Sequence, residues 1–95
     1  MITISRKQNQ ITIEGHANYA PMGQDIVCAS VSALFITLMN SIAILTDSEA
    51  KLDGDSNTRI LNIKGIDDST KLLVDSFFIG IRGISEEYPD YVEIK

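Results

Sequence analysis

Tryptophan is absent from this 95-residue chain, and cysteine and histidine each occur once. A single cysteine excludes an intrachain disulfide framework and a cysteine-rich zinc site. With one histidine beside it, a metal site would have to be built from carboxylates, so neither a metal nor a cofactor is expected. Positive charge is also scarce: 8 Lys and Arg against 13 Asp and Glu leave a net charge of −5. That balance excludes a nucleic-acid binder that works by neutralising phosphates, while leaving room for a basic peptide or protein as partner. There is no glycine-rich loop followed by Lys-Ser or Lys-Thr, so no nucleotide site is expected. Met1 to Ile13 alternates instead of forming a continuous apolar block, so no signal peptide is expected.

What the chain does have is enough apolar material for one core. Apolar residues make up 44% and charged residues 22%, the proportions of an ordinary globular protein. The length bounds it to one domain with a two-layer core of modest stability. Ile26 to Leu45 runs for 20 residues without a charge, long enough to span a bilayer. Ser30, Ser32, Thr37, Asn40 and Ser41 interrupt it, and Asp25 and Asp47 flank it with no Lys or Arg nearby. A helix buried in the core or at a subunit contact is the expectation, and no membrane.

Ile2, Ile4, Ile11 and Ile13 alternate with polar residues, which is the period of strands with one buried face. The polar run Arg6 to Gln10, containing Asn9, predicts a hairpin turn. Gly15 ends the second strand, and Pro21 and Gly23 punctuate a loop before Asp25, a good N-cap for a helix over Ile26 to Leu45. Ala50 to Leu52 and Arg59 to Lys64 predict a second strand pair around the turn residues Gly54, Asp55 and Asn57. A second helix begins near Asp67 or Asp68 and ends before Pro89, with Leu73, Phe77, Ile81, Ile84 and Tyr88 on one face. Gly80 and Gly83 weaken that helix, and close approach to another backbone is their expected return. Tyr91 to Lys95 predicts a short last strand. The order β-β-α-β-β-α-β predicts an α+β fold, one sheet with two helices packed on one face.

Chemistry concentrates in the segment GHANYAPMGQDIVCASVSAL, Gly15 to Leu34. His16 follows a strand end, and Cys28 falls near the third residue of the first helix. Amides at a helix N-terminus favour thiolate over thiol and raise reactivity. One thiolate and one imidazole are the minimum for acyl transfer, the sulfur attacking and the ring carrying the proton to the leaving amine. Free amides of the helix's first turn could supply an oxyanion hole. A lone cysteine in an apolar helix also suits a small buried core position, and spacing alone does not decide between these.

Gly15-His16-Ala17, Gly23, Asp25-Ile26-Val27-Cys28-Ala29 and Val31-Ser32-Ala33-Leu34 together resemble the signature of the Prp family of ribosomal-processing cysteine proteases. Tyr88-Pro89-Asp90-Tyr91-Val92 resembles the family's C-terminal pattern, so the likeness covers nearly the whole chain. The resemblance implies one cysteine protease domain over residues 1–95, cytoplasmic and commonly homodimeric. It implies a Cys–His dyad in which Cys28 is the nucleophile and His16 the general base and acid. The implied substrate is a large-subunit ribosomal protein, or for phage relatives a capsid or scaffold protein. A short N-terminal extension is removed after a Phe-Phe pair and before Ala.

Around the pair, Asp25 either orients His16 or only caps the helix. Ser32, one turn beyond Cys28, either lines the site or bonds the backbone four residues back. Gly23 is a candidate hinge, and Tyr19 and Met22 are candidates for gripping apolar substrate side chains. Family members often carry acidic residues just before this aspartate, whereas Ala20 to Gln24 has none. That departure bears on the substrate, not the chemistry, and the −5 net charge still suits a basic ribosomal protein. Two readings compete: a different ester or thioester hydrolase using the same dyad, and a non-enzymatic dimeric module that binds a peptide or ribosomal protein. The charge-free first helix and the Gly80 and Gly83 face are surfaces such a module could bury.

Overall fold

A computed structural model describes residues 1–21 and 23–95. The alternating isoleucines form β1 (Ile2–Lys7) and β2 (Gln10–Glu14), paired antiparallel with Lys7 opposite Gln10. The turn is therefore only Gln8 and Asn9, tighter than the polar run suggested, and Gln8 rather than Asn9 takes the positive φ, 34°. The charge-free stretch is α1 (Ile26–Leu45), with the bounds read from sequence. Val27, Val31, Phe35, Leu38 and Ile42 are its buried residues, one per turn along a single face. By length and composition this helix could cross a membrane, but here that face packs in the core.

The second strand pair is longer than the sequence indicated: β3 (Glu49–Gly54) and β4 (Thr58–Lys64). The reason lies in their turn. The Asp55 carboxylate accepts from the amides of Asn57 at 2.8 Å and Thr58 at 2.9 Å. Gly54 adopts φ 107°, where a Cβ would collide with the Thr58 carbonyl. The hairpin thus closes tightly enough for pairing to extend to Gly54 and Arg59. After α2 (Asp68–Glu87), β5 (Val92–Ile94) returns to pair in parallel with β1. The resulting five-stranded sheet has the order β3-β4-β2-β1-β5.

Both helices lie on the sheet face that carries Ile11, Ile13, Leu61 and Ile63. Arg59, opposite Ile13, holds its guanidinium 5.4 Å from the Phe35 ring on α1. Arg6, opposite Ile11, sits 5.4 Å from the Phe78 ring and 3.0 Å from Asp75 on α2. The expected two-layer α+β architecture is therefore what forms. The other sheet face carries polar ladders, such as Gln10 donating to Asn62 at 2.9 Å and Asn62 to Asp53 at 3.0 Å.

The buried line of α2 is Thr70, Val74, Phe77 and Ile81; Leu73, Ile84 and Tyr88 are only half-buried. Apolarity misplaced the centre of this face because Thr70 is buried with its hydroxyl satisfied, 2.6 Å from Ser48 and 2.9 Å from Asp67. Gly80 does meet a close neighbour, but it is the Leu34 side chain of α1 and not a backbone: a Cβ would stand 2.9 Å from its Cδ1. Nothing lies within 4 Å of a Cβ placed at Gly83.

Asp67 caps α2, and its carboxyl is held below the ordinary value by the Thr70 amide and hydroxyl, against a small opposing effect of burial. Asp25 and Asp55 are lowered in the same way, first by the amides of Cys28 and Thr58. A carboxyl whose folded pKa is depressed contributes fully above its unfolded value. That contribution is lost as pH falls through the lower folded one. The melting temperature is therefore expected to fall as pH drops below about 4. Asp67→Asn should melt lower near neutral pH and show a shallower acid slope in pH-resolved thermal melts.

Candidate active site

The site forms where β2 ends, the β3–β4 turn folds back and α1 begins. Gly15 leaves β2 with φ 85°, its N–H donating to Asn57 O at 2.8 Å. A Cβ at Gly15 would collide with the Met1 carbonyl, so only glycine lets β1 and this turn approach so closely. The Met1 ammonium donates to the His16 carbonyl at 2.7 Å. The His16 backbone is thus tied to β1 and, through Gly15, to the β3–β4 turn, while its side chain is exposed.

From His16 the chain turns toward the helix. Ala17 is buried, and its N–H donates to Cys28 Sγ at 3.3 Å. Asn18 takes φ 55°, a left-handed conformation that asparagine tolerates better than most residues. The Tyr19 N–H donates to Asp25 Oδ2 at 3.1 Å. Gln24 N–H donates to Pro21 O at 2.9 Å, closing a turn in which Gly23 has φ 85°. Nothing stands near a Cβ at Gly23, so glycine serves the turn's conformation there and not a close approach. Met22 lies outside the described residues.

Asp25 is the N-cap of α1. Its Oδ1 accepts from Val27 N–H at 3.0 Å and Cys28 N–H at 2.9 Å. The Cys28 amide is the main reason its carboxyl lies below the usual range; partial burial opposes this and the Tyr19 amide adds to it. The carboxylate is therefore ionised at neutral pH and held by main-chain donors and the Cys28 side chain, and among the described residues no hydrogen bond joins it to His16. It fixes the loop and the helix start to one another, so it positions both ends of the segment that carries His16 and Cys28.

His16, Cys28, Asp25, Gly23 and Ser32 all line one open cleft of about 640 Å³. Asn18, Ala20, Pro21 and Ala29 complete it. Half-buried Cys28 is its only thiol. Ser32 faces the cleft, and the back-bond to a carbonyl four residues earlier is made by Ser30 to Ile26, at 2.6 Å. Tyr19 does not line the cleft. Its ring packs edge-on against Tyr88 and Tyr91, with centroids 5.5 and 5.1 Å away, anchoring the loop to the corner between α2 and β5. Sequence reasoning passed over Asn18, although a residue tolerant of positive φ directly after Gly-His-Ala was a signal. It also passed over the Ala17 amide, which no sequence pattern marks because every non-proline residue carries one.

This arrangement, a thiol and an imidazole on one cleft beside a helix N-terminus, is what thiolate acyl transfer requires. The family model described as cysteine protease Prp matches residues 1–93. The chain belongs to the Prp family of cysteine proteases. The ribosomal processing cysteine protease Prp of Staphylococcus aureus is 29% identical over 91 residues, spanning 93% of this chain and 86% of that protein. The Bacillus subtilis Prp is 28% identical over 87 residues, spanning 84% and 78%. The crystal structure of the essential S. aureus ribosomal processing protease Prp with a covalently linked product peptide superposes with a TM-score of 0.91. That match covers 100% of this chain and 98% of the other, at 25% identity.

Membership in the Prp family makes this chain a cysteine protease and sets aside the non-enzymatic module. It also makes the Gly15 contact testable. Gly15→Ala forces the strand end off the Met1 carbonyl and displaces His16. Since a misplacement of about 1 Å can cost about 10²-fold, kcat should fall by that order in a peptide-cleavage assay. Far-UV circular dichroism should show the fold retained.

Proposed function

We propose that residues 1–95 form one endopeptidase domain in which Cys28 Sγ is the nucleophile and His16 the general base and acid. The observation that carries this reading is that the lone cysteine and the lone histidine of a Prp-family protease line the same cleft. His16 takes the thiol proton, and the sulfur attacks the scissile carbonyl. The imidazolium then gives the proton to the leaving amine, and a water, deprotonated by His16, releases the acyl group. Asp25 acts by position, through the helix cap and the Tyr19 amide. Ala20, Pro21 and Ala29 offer small apolar walls to a peptide, and the open mouth suits an extended chain segment more than an enclosed small molecule.

The substrate we infer is the N-terminal extension of a large-subunit ribosomal protein, cut after Phe-Phe and before Ala. The S. aureus and B. subtilis relatives are ribosomal processing proteases, which supports the ribosomal part, and the family resemblance supplies the cut. A phage capsid or scaffold extension would meet the same cleft. The enzyme works in the cytoplasm as a homodimer. The outward side of α1 supports a second copy: Ile36 and Ile44 are 49% and 78% exposed on a helix without a charge.

The test is mass-spectrometric. Wild type and Cys28→Ala are mixed separately with a peptide of apolar residues, Phe-Phe-Ala and a basic tail. A single cut after the second Phe, by wild type only, is expected. Cutting by both proteins overturns the nucleophile assignment; wild-type cutting elsewhere overturns the specificity.

A further inference from the structure

We propose that the main-chain N–H of Ala17 is the oxyanion donor of this protease, handing its hydrogen bond from the Cys28 sulfur to the substrate oxygen during attack. The proposal rests on Cys28 being the nucleophile and adds a catalytic group to that reading.

A sulfur nucleophile needs a donor for the charge that develops on the carbonyl oxygen. The first amides of α1 are the obvious source, and the two that its cap engages are already occupied. Cys28 N–H and Val27 N–H both point at Asp25 Oδ1, at 2.9 and 3.0 Å. Freeing them would break the cap that holds the loop to the helix. The Ala17 amide is different. It comes from the other end of the segment and lies 3.3 Å from Sγ, on a residue only 3% exposed. It is also fixed before substrate arrives. Gly15 is locked between Met1 and Asn57, and Asn18 and Tyr19 are held by a left-handed turn and the Asp25 carboxylate. A donor already in place needs no reorganisation at the moment of reaction.

Electron bookkeeping shows why a donor aimed at the sulfur also serves the oxygen. When the Sγ–C bond forms, the carbonyl π pair moves to oxygen, an atom two bonds from the sulfur. The negative charge leaves the sulfur for this neighbouring oxygen, and on this proposal the N–H follows it. When the intermediate collapses, the C=O bond re-forms and the C–N bond breaks. The amine takes from His16 the proton that Cys28 gave up, leaving a thioester. Oxygen is a smaller and harder acceptor than sulfur, so the hydrogen bond strengthens on going to the intermediate. Only an interaction that strengthens in this way accelerates the step.

The lone cysteine makes the test practical. Residues 1–27, carried as a thioester, can be ligated to residues 28–95 at the native Val27–Cys28 junction to give the full chain. One version replaces the Ala17 N–H by an ester oxygen, a control replaces the Asn9 N–H in the β1–β2 turn, outside the cleft, in the same way, and a third keeps every amide. The Ala17 ester should lose about 10²–10³-fold in kcat on the Phe-Phe-Ala peptide, with KM little changed. The control ester should cut like the all-amide chain, and alkylation of Cys28 by iodoacetamide should change far less than cleavage. Cleavage by the Ala17 ester close to the all-amide rate overturns the proposal. So does an equal fall in cleavage and alkylation, which would confine the N–H to the thiol. Failure of the all-amide chain to cut would instead remove the nucleophile reading beneath it. A measurement on the unmodified protein does not depend on the ester folding. The Ala17 amide proton should move downfield when a Phe-Phe aldehyde peptide forms its thiohemiacetal on Cys28. An unmoved resonance contradicts the proposal.

Discussion

Cys28→Ala is expected to remove cleavage almost completely, by about 10⁵–10⁶-fold in kcat, as loss of a protease nucleophile does. Stability should barely change. Cys28 is half-buried at the edge of the core, where its sulfur accepts from the Ala17 N–H. His16→Ala should cost about 10²–10⁴-fold, the range for a positioned general acid and base. The double variant should be no worse than Cys28→Ala alone, because His16 has nothing to act on once the thiol is gone. Steady-state cleavage rates and thermal melts on the three variants check this. A double variant far below the single one would mean that His16 works independently of Cys28.

Phe35→Ala is expected to have the largest effect on stability, about 3–5 kcal/mol. Phe35 is 1% exposed at the middle of α1 and touches both other parts of the core. Its ring meets Phe77 edge-on at 6.3 Å and lies under the Arg59 guanidinium. A small domain has a total stability of about 5–15 kcal/mol, so this one change removes much of it. The cleft would go with it, since Cys28 sits two turns earlier on the same helix. Urea melts should show the midpoint fall with little change in slope. Leu72→Ala, at a side chain 71% exposed on α2, should stay within about 0.5 kcal/mol of wild type.

Much of the fold was legible because local chemistry and global packing agree. Alternating isoleucines fixed β1 and β2, and an aspartate before a charge-free stretch fixed the start of α1. Thr70 was not legible, since its burial depends on Ser48, which comes near it only in the folded chain. The strand order was not legible either: nothing local says that Val92 to Ile94 pairs with β1 in parallel, across the sheet from β4.

The cleft followed the same division. His16 and Cys28 could be named because they are the residue types that acyl transfer needs, and Asp25 and Ser32 because they flank Cys28, at a spacing that resembles the family. Tyr19 could be named but not placed. An exposed aromatic on a loop suggests contact with substrate, whereas here Tyr88 and Tyr91, from the far end of the chain, hold the ring. The Ala17 amide could not be named at all, because its meaning comes only from its distance to Sγ.

Catalysis is proposed to run through a covalent acyl group on Cys28. Rapid mixing of the protein with the Phe-Phe-Ala peptide, acid quenching and intact mass analysis would test it most directly. A transient mass increase equal to the N-terminal half of the peptide is expected, mapped to Cys28, removed by hydroxylamine and absent in Cys28→Ala. Cleavage with no adduct at any time, retained in Cys28→Ala, would contradict it.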